Sequence, residues 1–462
     1  VPEVRDRVRG RGGPDARGGG SGRAGQLLLK ATVVGGGLAG CEAAWALASR
    51  GIDVTLIEMR PAGRTPAHQT DLLAELVCSN SFKSTDTLNA HGLLKAELRL
   101  LGSVLLACAD DARVPGGAAL AVDRTVFARR ATELVSAHAG IAVVREEATT
   151  LPEPGIVATG PLTSEKLAAA LAARLGGDAL AFYDAIAPIV STDSLDRSRL
   201  FAASRYGKGD GDDYLNAPLT EPEYEAFVTA LSAADRYPGH DFEAVPYFSG
   251  CLPVEEMAAR GRETLRFGPM KPVGLTDPAT GRAPHAVVQL RREDKAGQMW
   301  NLVGFQTRLR TGEQQRVFRT IPGLEGAEFL RFGSIHRNSY LNSPAHLTPA
   351  LSLKDAPTTL IAGQLTGVEG YTESLGTGVL AGINLARLLG GRSPALPPPT
   401  TMLGALMAYL RDADPKGFQP MNANFGLLPP LEQPTRDKAR KKAMLAERAL
   451  EAMRAFARET AP

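Results

Sequence analysis

Cysteine is scarce in this chain, 4 among 462 residues. Cys41, Cys78, Cys108 and Cys251 form no C-x-x-C pair and no metal-binding spacing, so neither a zinc site nor a disulfide framework is indicated, and no metal is expected. Few and scattered thiols suit a reducing, cytoplasmic compartment. Long hydrophobic runs are also missing. No apolar stretch reaches the roughly 20 residues of a membrane span, and the N-terminal residues lack the apolar core of a secretory signal. Residues 1–26 contain too little apolar surface to build a core and are expected to be a disordered leader. The first 24 hold 6 Arg against 3 acids, which leaves the rest close to neutral. A nucleic-acid partner would have to be gripped by local patches, not by bulk charge.

The chain does contain a dinucleotide fingerprint. LLLKATVV (Leu27 to Val34) reads as a strand buried on both faces, and GGGLAG follows at once, so Gly35, Gly37 and Gly40 fall in the G-x-G-x-x-G spacing. A helix through CEAAWALASR comes next, Gly51 closes it, and DVTLIE ends in Glu58, eighteen residues after Gly40. The glycines let backbone approach a pyrophosphate, the helix start offers free N–H groups, and Glu58 can accept from a ribose hydroxyl. Gly35, Gly36, Gly37, Leu38, Ala39, Gly40 and Glu58 are therefore expected to bind a cofactor. GIVATG (Gly155 to Gly160) reads as another strand with a tight glycine turn. TTLIAGQLTGVEGYTESLGTGVLAG, from Thr358, repeats strand, glycine-rich loop and helix, and adds Gly363 and Gly370 to the expected cofactor set.

This layout resembles FAD-binding proteins of the glutathione-reductase type. It implies an α/β fold: a glutathione-reductase-type FAD-binding Rossmann domain, here with a large α+β insertion domain. The FAD-binding domain is expected over 27–161 plus 324–458 and the insertion over 162–323. No second strand with G-x-G-x-x-G appears, so a separate nicotinamide domain is not expected. Disulfide reduction is not expected either, since no two cysteines lie close in sequence.

The runs TPAHQTDLLAELVCSNSFKS, FSGCLPVEEMAARG, RFGPMKPVGL, HRNSYLNSP, GQLTGVEGYTESL and FQPMNANFGLLPPL are similar to those of the TrmFO family, the folate- and FAD-dependent tRNA (uracil-5-)-methyltransferases. The resemblance spans about Leu27 to Arg454. It implies C5-methylation of the T-loop uridine of tRNA, with carbon from 5,10-methylenetetrahydrofolate and electrons from NAD(P)H through FAD. One alternative is the MnmG-like FAD-dependent modification of the wobble uridine, a longer family with a similar C-terminal motif. Another is a flavin-stabilised RNA-binding protein without catalysis.

Uracil C5 is a poor nucleophile until a thiolate adds at C6, so a cysteine is required. By the resemblance, Cys78 in ELVCSNSF acts at the flavin and Cys251 in FSGCLPVEE attacks uracil, or the reverse. Cys41 and Cys108 read as small buried hydrophobes. His336, Arg337 and Asn338 offer a planar ring and donors suited to a pterin or nucleobase, so a folate-binding role is expected. An anchoring surface loop is the other reading. His68 can equally be a loop histidine. Arg291, Arg292, Arg308, Arg310, Arg316 and Arg319, and the run from Arg436 to Lys442, are possible phosphate contacts; for the second run a solvated helix face is the plainer reading.

Overall fold

The computed structural model describes residues 29–65, 67–176, 179–237, 252–433 and 435–462, with side chains not described at 179–186 and 334–338. The expected leader and Cys251 lie outside the described residues.

Strand β1 (Lys30–Val34), helix α1 (Leu38–Ala48) and strand β2 (Asp53–Glu58) form the expected opening unit, with β1 and β2 parallel and Val33 opposite Leu56. After β2 come the short strands β3 (Ser81–Ser84), β4 (Arg113–Val114) and β5 (Ala119–Val122), which make a separate antiparallel sheet. Helices α2 (Ala90–Leu100) and α3 (Val104–Asp111) lie between β3 and β4. Helix α4 (Arg124–Ala137) then leads back to β6 (Ile141–Arg145) and β7 (Gly155–Val157). Asp123 caps α4 by accepting from the N–H groups of Thr125 and Val126, the usual remedy for unpaired donors at a helix start.

Helix α5 (Glu165–Leu175) is followed by β8 (Ala179–Ile186), which enters a second body. That body holds β9 (Ile189–Ser191), β10 (Phe201–Ala202), β11 (Tyr214–Leu219), helices α6 (Glu221–Ser232), α7 (Val254–Ala259) and α8 (Thr264–Phe267), and strands β12 (Ala286–Arg292) and β13 (Met299–Leu302). Helix α9 (Thr311–Phe318) and β14 (Phe329–Arg331) complete it. Its sheet runs β10-β11-β12-β13-β9-β14, its described pairs all antiparallel. Strand β15 (Ser334–Leu341) returns the chain antiparallel to β8.

Helix α10 (Ser343–His346), β16 (Ser352–Leu353), β17 (Ala356–Ile361), α11 (Tyr371–Leu389), α12 (Met402–Asp412) and α13 (Lys438–Glu459) finish the first body. Its main sheet has the order β16-β17-β7-β1-β2-β6, parallel except for the edge strand β16. The chain moves from β1 to β2 on one side and to β7 on the other, so the topological switch lies between β1 and β7. Ligands of open α/β sheets bind at that point, beyond the carboxyl ends of the strands.

Two separate cores divide the chain somewhat differently from the expected 162–323. Leu167 and Leu171 of α5 join the core of the first body, while Val190 of β9, Leu324 and Ala327 belong to that of the second. The crossovers are thus the paired strands β8 and β15, because apolar residues outside them pack on one core and those inside on the other. Among the described residues no helix is long and apolar enough to cross a membrane.

Candidate functional site

The fingerprint loop closes over the end of β1. Gly35 has φ +107°, and a Cβ there would lie 2.6 Å from the Ala158 carbonyl oxygen after β7; only glycine meets both demands. A Cβ on Gly40 would overlap the Gly35 carbonyl oxygen. Gly37 differs, for nothing lies within 4 Å of where its Cβ would be, and as the N-cap of α1 it brings no side-chain cap. The start of α1 therefore faces open space, with its N–H groups and the positive end of its dipole available to an anion. That space is a cleft of about 510 Å³ lined by Gly35, Gly37, Glu58, His68, Thr159 and Leu162 among others. Leu38 and Ala39 form the first turn of α1.

Glu58 stands at the end of β2 with one carboxylate oxygen accepting from Gly36 N–H (3.0 Å) and the other from Arg60 N–H (3.0 Å) and Nε (2.8 Å). Burial alone would raise this carboxyl, but the Arg60 hydrogen bonds and charge, with the Gly36 N–H, outweigh it and hold it below the usual range. Glu58 thus clamps the loop from beneath, a task beyond the expected ribose contact. Arg60 also reaches Glu75 (2.9 Å), whose carboxylate collects the N–H groups of Gln69 and Thr70.

The loop after β17 packs on the first turn of α1, where a Cβ at Gly363 would lie 2.9 Å from Ala39 Cβ. Gly363, Gly367 and Gly370 all have positive φ, and Gly370 is the N-cap of α11. Helix α11 presses directly on α1: a Cβ at Gly378 would sit 2.8 Å from Ala39 Cα, and one at Gly382 would sit 2.7 Å from Ala43 O. Small residues on α11 thereby let it lie against α1, with the first turn of α1 facing Gly378, two turns into α11.

The segment carrying Cys78 runs from β2 across this cradle. Ala74 N–H donates to Gly36 O (2.8 Å). Four successive carbonyls then find side-chain donors: Leu76 and Cys78 accept from Arg124 (2.8 Å each), Val77 from Arg331 (3.1 Å) and Ser79 from the Tyr371 hydroxyl (2.9 Å). Cys78 N–H donates to the same hydroxyl (2.9 Å). Asn80, fully buried, donates to Val122 O and Arg292 O and accepts from Arg291 Nε (2.9 Å). An irregular stretch with no ladder of its own is held this way because its polar backbone must be satisfied by something. The half-buried Cys78 is thereby fixed next to the first residue of α11.

A family model described as glucose inhibited division protein A matches residues 30–393. The chain is 61% identical over 421 residues to a methylenetetrahydrofolate–tRNA-(uracil-5-)-methyltransferase TrmFO from Geobacter sulfurreducens, covering 91% of this chain and 96% of the relative. It is 57% identical to the protein of the same name from Moorella thermoacetica, covering 91% and 97%. The chain belongs to the TrmFO family. Among solved structures, Aquifex aeolicus GidA in its form II crystal superposes with a TM-score of 0.66 at 17% identity, over 93% of this chain and 73% of that one. That likeness speaks for the fold.

The remaining expected residues of this TrmFO-family chain fall as follows. His336, Arg337 and Asn338 lie on strand β15, not on a loop, opposite Asp184, Tyr183 and Phe182 of β8; their side chains lie outside the description. Cys41 and Cys108 are buried, and burial first, then nearby carboxylates such as Glu58 and Glu42, pushes the Cys41 thiol far up, so it has no nucleophilic part. His68 lines the cleft with Nδ1 2.7 Å from Thr65 Oγ1. The insertion arginines are mostly spent inside the protein: Arg291 on Asn80, Arg308 on Glu256, Arg316 on Glu313 and Arg319 on the Ala327 carbonyl. The basic run at the start of α13 is exposed, above a buried face of Leu445, Ala449, Met453 and Phe456. A solvated face is what that pattern makes.

Arg124, Arg331 and Tyr371 were not foreseen. One signal was present: Arg124 opens α4, where a cation opposes the helix dipole, and a residue so placed needs another reason to be there.

Proposed function

We propose that this chain methylates C5 of the T-loop uridine of tRNA, taking carbon from 5,10-methylenetetrahydrofolate and reducing power from NAD(P)H by way of bound FAD. The supporting observation is 61% identity, nearly end to end, with a relative named for folate-dependent tRNA uracil-5-methylation. The wobble-uridine alternative rests on a similar C-terminal motif and is not favoured.

The cradle fits FAD. The open start of α1 at Gly37 suits a pyrophosphate, Glu58 lines the same cleft where a ribose would lie, and Gly363 packs against Ala39 in the first turn of α1. When bound, FAD would supply the electrons that convert a transferred methylene into a methyl group. The protein's own part is nucleophilic and positional. One thiolate must add to uracil C6, which makes C5 reactive, and later leave as the C5 proton is removed. Cys78 and Cys251 are the thiols assigned to the flavin side and to the uracil, in one order or the other. Arg124 and Arg331 place two positive charges near Cys78, which favours its thiolate. His336, Arg337 and Asn338 are proposed for the pterin, and the insertion body for the tRNA.

The test is to incubate purified protein with unmodified tRNA, methylenetetrahydrofolate and NADPH and to measure 5-methyluridine. The reading requires product in the T loop and its loss in Cys78→Ala and Cys251→Ala with flavin retained. A yellow wild-type protein that makes no 5-methyluridine with any folate supply overturns it.

A further inference from the structure

Arg124 makes one contact too many for a mere helix residue. Its guanidinium donates to the carbonyls of Leu76 and Cys78, on two sides of the thiol-bearing loop, and its Nε donates to Glu293 (2.7 Å). Glu293 follows β12 in the insertion body and is only 2% exposed. Two neighbours repeat the connection: Arg331 from β14 donates to Val77 O, and Arg291 from β12 donates to Asn80. The loop from Leu76 to Asn80 is therefore bonded more to the insertion sheet than to the sheet it came from. Among the described residues, Arg124 from α4 and Arg331 from β14 interact electrostatically with Cys78, and Glu293 beyond β12 and Tyr371 from α11 act on both arginines.

We propose that Arg124, held by Glu293, is the positioning residue of the Cys78 thiol, so that the place and charge state of this thiol are set by the insertion body. This rests on the methyltransferase reading for its catalytic consequence, but not for its geometry. A planar fork is needed, since only guanidinium spans two carbonyls and a carboxylate at once. Arg124→Lys keeps the charge and loses the span. The neutral pair Arg124→Gln with Glu293→Gln removes both charges without stranding a buried one.

Two readouts separate positioning from general support. In a Cys251→Ala background, iodoacetamide labelling of the Cys78 peptide is followed by mass spectrometry across pH. The neutral pair is expected to raise the labelling midpoint by about one pH unit, which is about tenfold less thiolate near neutrality. In the otherwise wild-type enzyme, Arg124→Lys is expected to lower kcat about tenfold with KM for tRNA and folate unchanged and FAD content retained. The proposal is overturned if both variants match the parent in midpoint and kcat, or if every loss tracks lost flavin or a lowered melting temperature. Should the wild type prove not to methylate, the labelling arm still decides the positioning claim while the functional reading alone falls. Should Arg124→Lys fail to fold, the neutral pair carries the same decision.

Discussion

Replacing Gly378 with alanine sets two physical effects against each other. In a helix interior, alanine is favoured over glycine by about 1 kcal/mol, so propensity alone predicts a more stable protein. Packing predicts the opposite. The new Cβ would lie 2.8 Å from Ala39 Cα and 2.9 Å from Ala39 C, and closer still to its carbonyl oxygen. These are backbone atoms in the first turn of α1, which cannot rotate away. Restoring ordinary contact with that oxygen, which begins at 3.4 Å, requires the helices to part by about 1 Å. Overpacking of this kind costs about 1–3 kcal/mol, more where both partners are rigid. The net expectation is a loss of about 1–2 kcal/mol, plus weaker FAD retention because the start of α1 at Gly37, which opens on the cleft, is pushed out of place. Urea unfolding read by circular dichroism gives the first quantity, and the ratio of flavin to protein absorbance after gel filtration gives the second. An alanine variant as stable as the parent, with full flavin, would refute the claim that contact between α1 and α11 shapes the cradle.

Other outcomes follow from the same geometry. Tyr371→Phe removes the hydroxyl that accepts from Cys78 N–H and donates to Ser79 O; about 1–2 kcal/mol is lost locally. Hydrogen exchange should then quicken in the peptide spanning 76–80 but not in β12, and equal exchange in both proteins would count against the clamp. Burial pushes the carboxyl of Glu97 up to about 8 and that of Glu42 up to about 7, against the hydrogen bonds each accepts. Both fold with a proton that the unfolded chain releases above its ordinary value, so stability should be greatest below that value and fall as pH rises toward 7–8. The slope is at most about 1.4 kcal/mol per pH unit for each group. Lys95, lowered to about 7 by burial, carries its charge in both states below that pH, so pH 5 to 6.5 is a clean window. Glu97→Gln should flatten the slope of urea midpoints there; stability that climbs with pH in the parent would contradict the assignment.

The cradle was legible because its demands are local. Gly35, Gly37 and Gly40 lie within six residues of one another, and the turn at Gly35, the opening at Gly37 and the approach of Gly40 to Gly35 all arise inside that window, with Ala158 adding a distant contact at Gly35. The strand before them and the helix after them show the expected periods in the same window. The second body was only coarsely legible, since its sheet places β9 and β14 side by side although about 140 residues separate them. Nothing in either strand names its partner, and the expected limits of 162 and 323 missed the crossover at β8 and β15 for that reason. The insertion arginines were read as possible phosphate contacts for a related reason: charge is visible in a sequence, but a distant partner such as Asn80 for Arg291 or Glu256 for Arg308 is not.

The same limit explains why the groups that hold the site together went unseen. Glu97 of α2 accepts from Met402 and Leu403 N–H at the start of α12, 305 and 306 residues away, and Glu42 of α1 does likewise for Leu105 of α3. Arg124 meets Glu293 across 169 residues. Each is a buried polar side chain, costly alone and tolerable only with its partner in place. Of the three, the Arg124–Glu293 pair joins the two bodies, beside the Cys78 loop. A displaced insertion body would part Glu293 from Arg124 and take the Arg331 donor from Val77 O and the Arg291 donor from Asn80. The Cys78 loop is thus bonded from both bodies, through Arg124 and Tyr371 on one side and Arg331 and Arg291 on the other.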